Sequence, residues 1–500
     1  MISLPTARRA LSRVAVTSSA VSRWGLCALG AGLSLGLALP SKALAEEVAA
    51  GSLLPRDTKV VKLDNGLQVV VLPVDTPGLV SVQTWMQVGS GEEAVAGLTG
   101  FAHFFEHLMF HGTEKMPGDV REKELLRLSV DENAWTSQDA TVYHLTAPSK
   151  NVVRLLEIEA DRFDALTLDD EGVRKEAGAV YGELRKGQAS PGRALWAGLW
   201  ATAFDVHPYH HTTLGIEADI AAMPDQLDAA RIFFRTWYRP DNATLVVAGD
   251  VSPVEVMPEI ERTFGKWTAK DAPAWPAIPV EPAQDGLRRS QIVWDQGPVN
   301  PRLAIGWRTP AHVPGDADAA ALALVPALLT SDIAPLQRKL VDDERRARWI
   351  WSGPPDQRHP GLLLVMSELT EGEDVRAIEA EVLAAVQALV DDDSDEAKAR
   401  LDMTRDRLRR ETVLGLDSPG AWGSAVGSAA LYGKGIDALD ADVQALAAVT
   451  SDDVQRVVRK YLLSDATRTV VTLVPPEQAD DSVAAPPTGP EQSADAGGAQ

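Results

Sequence analysis

His103, Glu106 and His107 stand as H-x-x-E-H inside GLTGFAHFFEHLMFHGT. Four-residue spacing stacks two side chains on one side of an α-helix. Both imidazoles can therefore reach one metal ion, with Glu106 beside them. Phe104, Phe105, Leu108 and Met109 are apolar and are expected to anchor the helix and keep the pair dry. Thr99 is expected to cap the helix and Gly112 to end it. A zinc ion held by two imidazoles takes a third protein ligand and keeps a fourth position for water. A neighbouring carboxylate can then accept that water's proton.

The third ligand is sought in DDEGVRKEAGAVYGELRKG, Asp169 to Gly187, which reads as a second helix with aspartate at its start. Glu176 and Glu183 are seven residues apart and share a face. Spacing alone does not choose between them. Gly178 and Gly182 are costly inside a helix, and their four-residue spacing is expected to let it pack closely against a neighbour.

The chain that must position these groups has 500 residues, enough for two domains with full cores. Residues 1–45 read as a secretory signal peptide. Arg8, Arg9, Arg13 and Arg23 precede an apolar run from Trp24 to Pro40, and Ala43-Leu44-Ala45 forms a small-x-small cleavage pattern. The chain is thus expected to be exported, to the periplasm or beyond, with no membrane anchor after cleavage. Cys27, the single cysteine, lies in that segment, so thiol catalysis and cysteine-bound zinc are excluded from the mature chain. The net charge of −23, made more negative by loss of those arginines and Lys42, argues against nucleic acid as a partner.

Four prolines in KDAPAWPAIPVEPAQDG place a linker at residues 270–286. The flanking halves, 46–269 and 287–475, share a layout. Each opens with alternating apolar strands, GLQVVVLP and VSVQTWMQV in the first, SQIVWD and RLAIGW in the second. Each closes with an amphipathic helix, a polar turn and a β-branched strand. Two α+β domains related by duplication are expected, each with a mainly antiparallel sheet covered by helices. Residues 476–500, rich in Pro, Gly, Ala and acid, read as a disordered tail.

Several segments resemble the pitrilysin-like, M16-type zinc metallopeptidases, the inverzincins. VGSGEEAVAGLTGFAHFFEHLMFHGT is similar to the family's signature region, NAWTSQDATVYHLTAPS to the strands that follow, and RKEAGAVYGEL to its distal glutamate helix. HPYHHTTLG and YRPDNATLVVAGD resemble the end of the first domain. The likeness is strong over residues 55–270 and weaker over 287–475. It implies a clam-like chamber and hydrolysis of peptides or unfolded segments paired to a sheet edge. It makes His103, His107 and Glu183 the ligands of one Zn2+ per chain and Glu106 the general base. Glu176 becomes a supporting glutamate outside the metal shell, and Asn133 a contact for the substrate backbone. His111 and His144 are not ligands on this mapping.

Active single-chain members carry an arginine and a tyrosine, seven residues apart, that stabilise the oxyanion. The corresponding positions here hold Val341 and Arg348. In some bacterial relatives a homologous partner subunit brings the pair. The resemblance therefore implies a zinc-bearing subunit completed by such a partner in a heterodimer, a homodimer being the other arrangement. The competing expectation is a non-catalytic structural or peptide-binding member; a zinc hydrolase of non-peptide esters or amides is the other enzyme class.

Overall fold

The computed structural model describes residues 52–433 and 435–487. Residues 1–45, expected as a signal peptide, and 488–500, the last part of the expected tail, lie outside the described residues.

Alternating apolar residues build two separate sheets. The first comprises β1 (Lys59–Lys62), β2 (Gln68–Pro73), β3 (Leu79–Met86), β4 (Asp131–Thr136), β5 (Thr141–Pro148) and β6 (Ala243–Gly249). Its spatial order is β1-β2-β6-β3-β5-β4. The second comprises β7 (Arg288–Val293), β8 (Arg302–Arg308), β9 (Ala347–Gly353), β10 (Leu362–Leu369) and β11 (Arg468–Val474), in the order β7-β11-β8-β10-β9. In each half an early strand pairs in parallel with the closing strand, β2 with β6 and β7 with β11; the remaining pairs are antiparallel, and β1 is an extra edge strand of the first sheet. The fold is α+β, and the duplicated layout read from the sequence is present in the strand order.

Five helices matter below: α1 (Phe101–Leu108), α2 (Asp170–Gln188), α3 (Pro191–Ala203), α4 (Ala317–Thr330) and α5 (Pro419–Leu431). One face of each sheet is covered by helices of its own half. The other face is covered by a helix from the opposite half. Leu195, Leu199, Trp200 and Ala203 of α3 pack with Ala304, Leu362, Leu364 and Val471 of the second sheet. Val426 and Leu431 of α5 pack with Val70, Leu72, Trp85, Val142 and Val246 of the first. Burying a large apolar side chain contributes about 1.5–3 kcal/mol, so this exchange fastens the halves to each other.

Close approach of α5 depends on glycine. A Cβ at Gly427 would lie 2.2 Å from the Trp85 ring, and one at Gly423 would lie 2.6 Å from Gln83 Nε2. The pair expected to serve this purpose does not: among the described residues, nothing lies within 4 Å of a Cβ at Gly178 or Gly182. That face of α2 is exposed.

Residues 270–286 carry no helix or strand and are strapped down by distant partners. The Glu281 carboxylate accepts from the N–H groups of Asp205, Val206 and His207 and from Arg308, and Trp275 Nε1 donates to the Glu92 carbonyl. Residues 476–487, expected as part of the tail, run beside the free edge of β7. Asp480 N donates to Gln291 Oε1 and Gln291 N to the Ala484 carbonyl. Such pairing uses backbone groups and needs no large side chains, which is why composition missed it. Lastly, the sequence reading finds no second apolar run of membrane-spanning length. An 18-residue window within Ala317–Asp343, which spans α4 and the turns and short helices after it, reaches mean hydropathy 1.7 and meets that length and composition. Its Leu322, Leu324, Val325, Leu328 and Leu329 nonetheless fill the second core.

Candidate metal centre

Helix α1 is fixed at both ends and underneath. Gly100 precedes it at φ 82° and Gly112 ends the short 3-10 extension Met109–His111 at φ 80°. A Cβ at Gly100 would meet Ile220 at 2.4 Å. Thr99 is not the cap: its hydroxyl donates to Asp219 and accepts from Ile216 N. The cap comes from Glu93, whose carboxylate accepts from Gly100 N and Ala102 N, each at 2.7 Å. This satisfies two of the donors a helix start leaves unpaired. Burial pushes the Glu93 carboxyl well up, against the pull of these two bonds. Phe101, Phe104, Phe105 and Leu108 are wholly buried. Tyr143 donates its hydroxyl to the Phe105 carbonyl at 3.0 Å, with Tyr238 2.6 Å away.

Against this helix lies α2, capped by Asp169, whose side chain accepts from Gly172 N. The two helices bring three ligand atoms together. His103 Nε2 is 3.6 Å and His107 Nε2 3.8 Å from the same oxygen, Glu183 Oε2. Ligand atoms of the three residues all lie within 4.8 Å of one another. Two donors about 2.0–2.1 Å from a tetrahedral ion sit about 3.3 Å apart, so each histidine needs to approach Glu183 by only a few tenths of an ångström, and the whole set, within 4.8 Å, closes by about 1.5 Å at most. Burial, with help from the neighbouring His107 and Arg193, pulls the His103 imidazole down to about 3. It is neutral at physiological pH, as a metal ligand must be. Glu183 Oε1 is buried and has no hydrogen-bond partner among the described residues. Two imidazole nitrogens and a carboxylate with a spare buried oxygen fit zinc.

Glu176 stands outside the three. Its Oε2 is 3.4 Å from His107 Nδ1 and its Oε1 is 3.0 Å from His111 Nε2. Nδ1–H of His107 donating to Glu176 leaves Nε2 as the free lone pair, the usual arrangement behind a metal-bound imidazole. Burial raises the Glu176 carboxyl, but the hydrogen bonds from His107 and His111 outweigh it and hold the group at about 2. Burial lowers His107, while Glu176, Glu106 and Glu183 together hold it above its ordinary value. Glu106 is pushed up by burial, opposed by a 2.7 Å hydrogen bond from Thr136 Oγ1.

Asn133 is not brought to the cluster. It lies on edge strand β4, three residues before Thr136, and strand alternation puts it on the opposite face. Its side-chain oxygen accepts from Ala134 N. Two arginines near the missing oxyanion pair are engaged in their own half. Arg346 meets Glu373 at 3.0 Å, and Arg348, on edge strand β9, meets Glu368 at 3.2 Å. Val341 packs on the second core. Sequence reasoning missed Glu93 and His111. The first acts from well outside the usual capping spacing; the second extends the four-residue histidine series 103, 107, 111.

Two family models match the chain. One, described as "Insulinase (Peptidase family M16)", covers residues 69–217; the other, "Peptidase M16 inactive domain", covers 226–402. The chain belongs to peptidase family M16. The "Zinc protease PqqE" of Helicobacter pylori is 29% identical over 378 residues, 75% of the M16 chain and 83% of that relative. A solved protease from Helicobacter pylori superposes with TM-score 0.78 at 27% identity, covering 84% of this chain and 99% of that one. The periplasmic protease PqqL from Escherichia coli superposes at 0.69 and 21% identity, covering 87% of this chain but 50% of that one. Its first half, solved separately, is covered over 96%. The M16 chain likewise spans about half or less of several other curated relatives.

Proposed function

We propose that this chain is the zinc-bearing subunit of an exported metallopeptidase, acting on peptides or unfolded segments. The observation that carries this reading is the meeting of His103, His107 and Glu183 at one point, with Glu106 beside it. His103, His107 and Glu183 would hold the zinc, which when bound would supply a Lewis acid and acidify a water. Glu106 accepts the water's proton and returns it to the leaving nitrogen. Thr136 orients the Glu106 carboxylate, and Glu176 fixes the His107 ring. The free edge of β4, which carries Asn133, takes the extended substrate by backbone pairing.

A homologous partner supplies the missing oxyanion donors and the facing half of the chamber. The pairing of Arg346 and Arg348 with Glu373 and Glu368 in their own half supports this, as does the match of this chain to one half of the longer PqqL. Loss of one oxyanion donor costs roughly 2.7–4 kcal/mol of transition-state stabilisation, enough to leave the isolated chain nearly inactive. Export to the periplasm accords with the leader-like N-terminus and with the periplasmic relative.

The test is hydrolysis of unstructured peptides by the purified chain, alone and with a homologous chain encoded beside it. Activity is expected only from the pair, abolished by Glu106→Gln with zinc retained. Full activity from the chain alone removes the partner; unchanged biological output from Glu106→Gln favours the non-catalytic reading.

A further inference from the structure

His103, His107 and His111 follow one another at four-residue steps along α1 and its 3-10 extension. They face α2 in the same succession. His103 and His107 meet Glu183, His107 meets Glu176, and His111 meets Glu176 through its other oxygen. Room for the third ring is provided by Gly172 in the first turn of α2, where a Cβ would lie 2.8 Å from His111 Nδ1. The ring is half-buried, so its contact with Glu176 is partly shielded from water.

We propose that His111 is a positioning residue for the metal centre: by holding Glu176 Oε1 it aims Oε2 at His107 Nδ1 and presents His107 Nε2 to the ion. This rests on the zinc reading above and extends it by one link. With the His111 bond removed, the Glu176 carboxylate is free to rotate about its side chain, and His107 loses the partner that fixes its tautomer and ring plane. Outer partners of this kind typically change metal affinity by about 10–100-fold.

The experiment uses the purified full chain and Zn2+ alone, with the dissociation constant read by competition against a chromophoric chelator. His111→Leu is expected to weaken zinc at least about 10-fold. His111→Gln keeps an N–H donor near the Nε2 position and is expected to restore affinity to within about threefold of wild type. In a Glu176→Ala background, His111→Leu is expected to add nothing, because coupled residues are not additive. Wild-type affinity in His111→Leu overturns the proposal; so does equal weakening by Leu and Gln, or full additivity with Glu176→Ala. Glu183→Ala is the control for the underlying reading. Zinc binding that is absent from wild type, or unaffected by Glu183→Ala, overturns the zinc site itself. Tight binding lost with Glu183→Ala but untouched by His111→Leu overturns only the role of His111.

Discussion

The same substitution, glycine to alanine in a helix, should have opposite effects at two places in this chain. At Gly427 the added methyl would sit 2.2 Å from Trp85 Cε2 and Nε1, where carbon contacts settle at about 3.5–4.0 Å. A displacement of more than about 1 Å is needed. Trp85 cannot supply it cheaply: its Nε1 donates to Gln83 Oε1 at 3.0 Å, and its ring meets Trp135 edge-on at 5.3 Å. Helix α5 must therefore lift from the first sheet and loosen Val426 and Leu431 from their cluster. Overpacking of this sort costs about 1–3 kcal/mol, against about 1 kcal/mol gained in helix propensity. A net loss of up to about 2 kcal/mol is expected for Gly427→Ala. At Gly178 and Gly182 nothing lies in the way, so each alanine should add about 0.5–1 kcal/mol. Urea unfolding followed by tryptophan fluorescence reads both, since Trp85, Trp135 and Trp422 border the α5 contact. Equal signs for the two sites would refute the argument that α5 is held by methyl-free contact with the opposite half.

Glu92 lies buried between the halves, 3.3 Å from Arg358 and near Asp139. Burial, with Asp139 adding to it and Arg358 opposing, pushes its carboxyl up to about 8. The native state thus holds a proton that the unfolded chain releases above about 4.5. That contribution to stability is complete below pH 4.5 and is lost as pH rises toward 8. Glu92→Gln should match wild type near pH 5 and exceed it at pH 8; a loss of stability at both pH values would show that the ion pair with Arg358 dominates instead. Glu93→Ala leaves two buried N–H groups at the start of α1 unpaired and should cost about 2–4 kcal/mol, measured by thermal unfolding; wild-type stability would refute the capping role. Thr136→Val removes the hydrogen bond to Glu106 and should lower kcat of the assembled enzyme with KM and zinc content unchanged, with Thr136→Ser restoring it. A changed KM alone would instead place Thr136 in substrate binding.

What was legible in the sequence follows from the range of each interaction. Strand alternation and helical spacing are local, so GLQVVVLP, RLAIGW and TVVTLVP marked strands, and His103 and His107 marked one side of a helix. Glu183 could be selected only by resemblance, because the turn of α2 that reaches the histidines depends on how two helices dock. The exchange of α3 and α5 was hidden: an amphipathic or alanine-rich helix records that it covers something, not which sheet. The glycine pair in α2 misled for the same reason, since spacing that permits close approach does not supply a neighbour. Thr99 matched a capping pattern, yet Glu93, brought in by a loop, reached the free N–H groups first. The strapping of residues 270–286 by Glu281 and Trp275 likewise depends on partners distant in the chain.

The central claim is tested most directly by anomalous diffraction at the zinc edge from crystals of the full chain grown with Zn2+. One strong peak is expected within bonding distance of His103 Nε2, His107 Nε2 and Glu183 Oε2, absent in crystals of Glu183→Ala. A peak elsewhere with these three atoms unliganded, or no peak at saturating zinc, would contradict the account.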